Sequence, residues 1–294
     1  ELHFFIGKDG VFSSIFDFKQ TMLGQEGKGW FDHALPTADE LKESIFQAHE
    51  RADSIGILST IIENHDEPRG VSHYIAEGPV NDTSKKALGT IQILRKGIPF
   101  IYQGQEIGME NQVFESVEDF DDIATINGYH VAKEAGLSEE EALAAIANYS
   151  RDNARTPMQW SAEPGLGFSD GSAWLISPKP NVAINVKDQE KDPNSILNYY
   201  RQLTALYRHP LYGNTIRFGD MIPAYRDREN IIAFERRGDK RLLVVSNFQN
   251  RQATLELPAP IKTVVLNNTA GLFQEGDQVL ELTPYQTVVL ELVE

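Results

Sequence analysis

The 294-residue sequence is 41% hydrophobic, 24% charged and 10% aromatic, which excludes a disordered chain and allows one large domain or two of ordinary size. Its 27 Lys and Arg face 43 Asp and Glu, a formal net charge of -16, so the surface repels phosphate backbones and anionic lipid and disfavours nucleic acid as a partner. The absence of cysteine excludes disulfides and thiolate metal sites and fits a reducing compartment, and no apolar run approaches the roughly 20 residues of a membrane span.

The chain begins at Glu1 and enters an apolar, strand-like stretch, Val11 to Phe18, almost at once. The first residues do not form a signal peptide, so a cytoplasmic protein that starts inside a domain is expected. Up to about residue 210, short apolar runs alternate with longer helical segments, the pattern of β/α units on a parallel sheet. The strand runs are Val11 to Phe18, Ile55 to Ile62 and Ile98 to Tyr102.

A helix over Ser84 to Lys96 is predicted by Leu88, Ile91 and Leu94 on one face, with Gly97 as its stop. Residues 113–161 read as a long insertion, of the kind that builds an active-site rim when it follows a barrel strand. Inside it, Ser138 and Glu141 form a capping box ahead of about three helical turns. A further helix is predicted from Asp192-Pro193, carrying Ile196, Tyr199, Tyr200, Leu203, Leu206 and Tyr207 and ending at Pro210.

Beyond about residue 212 helical periodicity stops. Six closely spaced runs between Ile231 and Leu292, separated by turns such as Arg237-Gly238-Asp239 and Gly276-Asp277, predict a small antiparallel sandwich over residues 213–294.

Chemistry concentrates in Glu63-Asn64-His65-Asp66-Glu67-Pro68-Arg69, directly after the second strand run. In a parallel barrel that strand end is the catalytic face, and such a polar cluster is costly there without a ligand or network to satisfy it. The plain alternative is a turn in which Asn64 and Asp66 cap backbone amides and Pro68 ends the strand.

Asn64-His65-Asp66 followed by Pro68-Arg69 resembles the signature of glycoside hydrolase family 13 after its seventh barrel strand. The run from Gly97 through Tyr102-Gln103-Gly104-Gln105-Glu106 to Met109 is similar to that family's eighth strand and loop. Arg151-Asp152-Asn153-Ala154-Arg155-Thr156-Pro157-Met158-Gln159-Trp160 resembles a segment of its oligo-1,6-glucosidase branch, which also holds trehalose-6-phosphate hydrolases and sucrose isomerases.

The resemblance implies residues 1–212 as the C-terminal part of a (β/α)8 barrel, about strands six to eight, and an oligosaccharide substrate. It implies Asp66 as the carboxylate that stabilises the transition state, with His65 on the same sugar ring. Arg69 and Arg155 are expected to close on the terminal glucose, and Glu63 and Glu67 to tune Asp66 or contact the next sugar; glutamine is common in relatives where Glu67 stands. Glu106 is expected to be structural, and Trp160 to stack on a sugar or join the core.

A retaining glycosidase needs two carboxyls about 5 Å apart, which this family carries upstream of these motifs. Neither the nucleophile nor the general acid is recognisable here, and Glu1 is not assigned as that acid. The expectation is an α-glucosidase part that needs the N-terminal half of its barrel, with no cofactor and no metal. The other reading is a non-catalytic carbohydrate-binding or interaction protein.

Overall fold

The computed structural model describes the chain except residues 1, 26, 176, 178 and 272. Three parallel strands, β1 (Ser14–Phe16), β2 (Ile57–Thr60) and β3 (Ile98–Pro99), lie in sequence order, with Ser14 opposite Ile57 and Ser59 opposite Ile98. All three are shorter than their apolar runs. β3 stops at Pro99, which has no N–H for a ladder, although Phe100 still donates to the Thr60 carbonyl at 2.9 Å.

Helix α1 (Ala38–Ala52), which is not among the predicted helices, joins β1 to β2. Its start is nonetheless written in the sequence. The Thr37 hydroxyl accepts the Glu40 N–H at 3.2 Å while the Glu40 carboxylate accepts the Thr37 N–H at 2.7 Å, a reciprocal cap. Between β2 and β3 run α2 (Gly70–Tyr74) and α3 (Asp82–Leu94). α3 begins two residues earlier than predicted because Asn81, not a later residue, caps the Ser84 N–H. Its Gly89 lets the Tyr200 side chain approach closely, since a β-carbon there would meet the Tyr200 hydroxyl at 2.7 Å.

The insertion forms an α-helical hairpin, α4 (Ile123–Glu134) and α5 (Glu139–Tyr149), then one turn, α6 (Asp152–Arg155). Ser138 and Glu141 make the predicted capping box on α5, whereas α4 was not foreseen. After α7 (Val186–Gln189), α8 (Ile196–Leu206) starts later than predicted. Ser195 is its cap, accepting the Asn198 N–H at 3.2 Å, while Asp192 holds a preceding turn through the Asn194 N–H.

A short helix, α9 (Gly213–Phe218), leads into strand β4 (Asp220–Ala224), so the β-rich part has seven described strands rather than six. The others are β5 (Ile231–Arg237), β6 (Arg241–Asn247), β7 (Ala253–Glu256), β8 (Ile261–Asn267), β9 (Val279–Leu282) and β10 (Thr287–Leu292). They form an antiparallel sheet in the order β4-β5-β6-β10-β8 and a separate β7-β9 pair. β4 escaped notice because Pro223 interrupts it, and as an edge strand it tolerates that residue.

The central strands of this sheet are buried on both faces. Ile231, Ala233, Leu243, Val245, Val288 and Leu290 pack toward Leu255, Leu280 and Leu282 of the β7-β9 pair. The alternate residues Ile232, Phe234, Leu242, Val244 and Val289 join one continuous core with Leu41 and Phe46 of α1, Leu88 and Ile91 of α3 and Leu203 of α8. That shared core fixes the β2 end and the two helices flanking it.

Candidate active site

β2 runs into Ile61 and Ile62 and then the polar turn. Asn64 accepts the Asp66 N–H at 2.7 Å, a local turn that ends the strand direction and leaves the Asp66 carboxylate half-exposed. The carboxylate lines a cleft of about 380 Å³ together with Glu63, Asn64, His65 and Glu67 from the same turn, and with Phe16, Phe18, Phe100 and Tyr102 from the neighbouring strand ends. Carboxylates on one wall and aromatic rings on another suit a polar ring with an apolar face.

Two arginines converge on one oxygen of Asp66. Arg151 Nη1 and Arg155 Nη2 each donate to Asp66 Oδ1 at 3.2 Å, while His65 Nε2 lies 3.2 Å from Oδ2. Arg155 also donates from Nε to the His65 carbonyl at 2.9 Å. Behind them stand two buried carboxylates of the insertion. Asp122 accepts Arg151 Nε at 2.8 Å and lies 2.6 Å from Nη2 in an ion pair, and its other oxygen caps Thr125. Asp152 uses Oδ2 to accept the backbone N–H of Asp121 and of Asp122, both at 2.9 Å.

Arg151 lies in the motif but is not among the site residues that the sequence predicts. The signal was present: Arg151 and Arg155 are four apart at a helical turn and so share a face.

Glu63 and Arg69 form a layer beneath. Glu63 is buried and accepts the Gly70 N–H at 2.7 Å; its other oxygen lies 3.8 Å from Arg69 Nη1 and has no hydrogen-bond partner among the described residues. Burial pushes its carboxyl up to about 7, against the pull of Arg69 and the Gly70 N–H. Arg69, expected on the sugar, is 1% exposed and does not line the cleft. It donates to the Gln103 carbonyl at 2.8 Å and sits 5.6 Å from the Tyr102 ring centroid, which ties the β2 turn to the loop after β3.

Glu67 is partly buried, and loss of solvation pushes its carboxyl up to about 7, with the neighbouring Asp66 charge adding and a Thr21 hydrogen bond opposing. Tyr102 donates its hydroxyl to the Ala154 carbonyl at 3.0 Å, so the insertion, the β3 loop and the β2 turn meet at Asp66. Glu106 accepts the Gly104 N–H at 2.8 Å within its own loop. Trp160 is half-exposed and stands outside the buried core. Among the described residues no group of three or more His, Asp or Glu is arranged to hold a metal ion, and no helix is long and apolar enough to cross a membrane. Glu1 lies outside the described residues.

Residues 7–211 match the model of the alpha amylase catalytic domain. The chain belongs to the alpha-amylase family, glycoside hydrolase family 13. Residues 231–289 match the C-terminal domain of the alpha-amylase SusG. An oligo-1,6-glucosidase of Halalkalibacterium halodurans is 37% identical over 280 residues, which are 94% of this chain and 49% of that protein. A probable oligo-1,6-glucosidase of Bacillus subtilis is 37% identical over 249 residues, 83% of this chain and 44% of that one.

Among solved structures, a trehalose-6-phosphate hydrolase from Bacillus licheniformis superposes with a TM-score of 0.87 at 31% identity, over 95% of this chain and 51% of that one. An isomaltulose synthase from Klebsiella matches at the same TM-score and 30% identity, over 96% and 51%. The fold is therefore the C-terminal part of a (β/α)8 barrel followed by a small antiparallel β-sandwich. The chain spans about half the length of the relatives it matches.

Proposed function

We propose that this chain supplies the transition-state-stabilising and sugar-holding face of a retaining α-glucosidase that cleaves α-1,6 bonds of short oligosaccharides. Residues 1–212 serve as the barrel part and 213–294 as the sandwich domain, with the nucleophile and the acid contributed by an N-terminal barrel half. The observation that carries this is Asp66 held in the cleft between His65 and two arginines. A carboxylate there accepts hydrogen bonds from ring hydroxyls, and its attraction grows as the sugar flattens and becomes positive.

The oligo-1,6-glucosidase relatives support the linkage, and the absence of cysteine supports a cytoplasmic setting. Trehalose-6-phosphate and sucrose are the other family substrates to assay. The Asp66 carboxylate in the cleft, with Glu63 and Glu67 beside it only partly ionised near pH 7, weighs against a phosphorylated one.

The test is hydrolysis of isomaltose by the barrel completed with its N-terminal half. The chain alone hydrolyses nothing, and Asp66→Asn in the completed enzyme lowers turnover on the order of a hundred- to a thousandfold. Undiminished turnover in that variant removes the proposal. Saccharide binding that persists with no hydrolysis by the completed barrel would favour a non-catalytic binding protein instead.

A further inference from the structure

Asp152 is wholly buried, yet one of its carboxylate oxygens is left unused. Oδ2 is saturated by two backbone N–H groups, whereas Oδ1 has no hydrogen-bond partner among the described residues. The nearest cation is Arg155, whose Nη1 stands 3.7 Å away, too long for a hydrogen bond. Arg155 is engaged elsewhere: Nη2 is on Asp66 and Nε is on the His65 carbonyl. A buried charged oxygen left unpaired is costly, so an arrangement that keeps one next to a guanidinium bonded elsewhere calls for a reason.

We infer that Asp152 is a positioning residue whose free Oδ1 receives Arg155 when a sugar hydroxyl displaces that arginine from Asp66. The inference rests on the role proposed for Asp66. In the structure Arg155 occupies an Asp66 oxygen that the substrate needs. Removing it outright would forfeit one charge-assisted hydrogen bond. Pivoting about the bond to the His65 carbonyl lets Nη1 close on Asp152 and regain one, so Asp66 is released at little net cost. Arg151 cannot make the same exchange, because Asp122 already takes its Nε and Nη2; it stays and orients the carboxylate.

Two measurements on the barrel completed with its N-terminal half test this. Crystals soaked with glucose should show the sugar on Asp66, the Arg155 Nη1 to Asp152 Oδ1 separation shortened from 3.7 Å to about 2.9 Å, and Arg155 Nη2 off Asp66. By calorimetry, Asp152→Asn, which keeps one oxygen for the two backbone donors, should weaken glucose binding about tenfold, and should have no such effect in an Arg155→Gln background. Glucose bound with Arg155 still on Asp66, or an equal loss in both backgrounds, overturns the handover while leaving the Asp66 reading intact. No glucose at Asp66, or binding unaffected by Asp66→Asn, overturns the reading beneath it.

Discussion

Arg151 Nη1 and Arg155 Nη2 lie at the same distance, 3.2 Å, from the same oxygen of Asp66, but only Arg151 is anchored from behind by a bonded buried carboxylate. The two arginines are therefore equivalent toward the cleft and different toward the fold.

That difference predicts stability losses of unequal size. Arg151→Ala strands the buried Asp122 carboxylate and should cost about 2 kcal/mol, reduced from the value for a fully buried pair because the arginine is one-third exposed. Arg155→Ala removes only long or exposed contacts and should cost less than about 1 kcal/mol. Urea unfolding of the two variants decides; equal losses would mean that Asp122 is not the anchor.

The Glu63 and Arg69 layer predicts a structural rather than a binding effect. Arg69→Met removes the donor to the Gln103 carbonyl and the cation facing Glu63. Breaking such a buried pair from one side should cost about 3 kcal/mol. A variant as stable as the parent, with sugar binding alone impaired, would put Arg69 on the substrate after all.

Glu67 predicts a pH dependence. Its carboxyl is held at about 7 in the folded protein against an ordinary 4.5, so the fold prefers the protonated form. Its contribution is fully present below about pH 4.5 and is lost as pH rises through about 7. Glu67→Gln should therefore leave the melting midpoint unchanged near pH 4 and raise it at pH 8. After discounting for partial exposure, the gain is about 1 kcal/mol. A midpoint raised equally at both pH values would exclude titration of Glu67 as the cause.

The sequence made the β2 turn legible because Asn64, His65 and Asp66 are contiguous, and a strand end needs only a few residues to present them. It made the α5 start legible through the Ser138 and Glu141 pair, whose partners are three residues apart. It did not reveal that Arg69 turns under the site, because its partner, the Gln103 carbonyl, lies 34 residues away and backbone acceptors leave no trace in side-chain identity. Nor did it reveal Asp122 as an anchor, since 29 residues separate it from Arg151. Long-range polar pairings are set by tertiary packing, which local patterns do not encode.

Among the described residues β1 and β3 each pair only with β2, and Phe12, Phe16, Phe18, Ile98 and Phe100 are exposed beside those edges. Unpaired parallel edges next to a contiguous apolar face are normally covered, and the matched relatives carry about as much chain again as is described here. The chain on its own should therefore self-associate in a concentration-dependent way and bind a hydrophobic dye. Phe16→Asp with Phe100→Asp, which separates two rings whose centroids are 4.8 Å apart, should shift sedimentation toward the monomer without lowering helical content, and supplying the N-terminal barrel half to the parent chain should do the same. A parent chain that sediments as a dye-free monomer at every concentration would show that this face needs no cover.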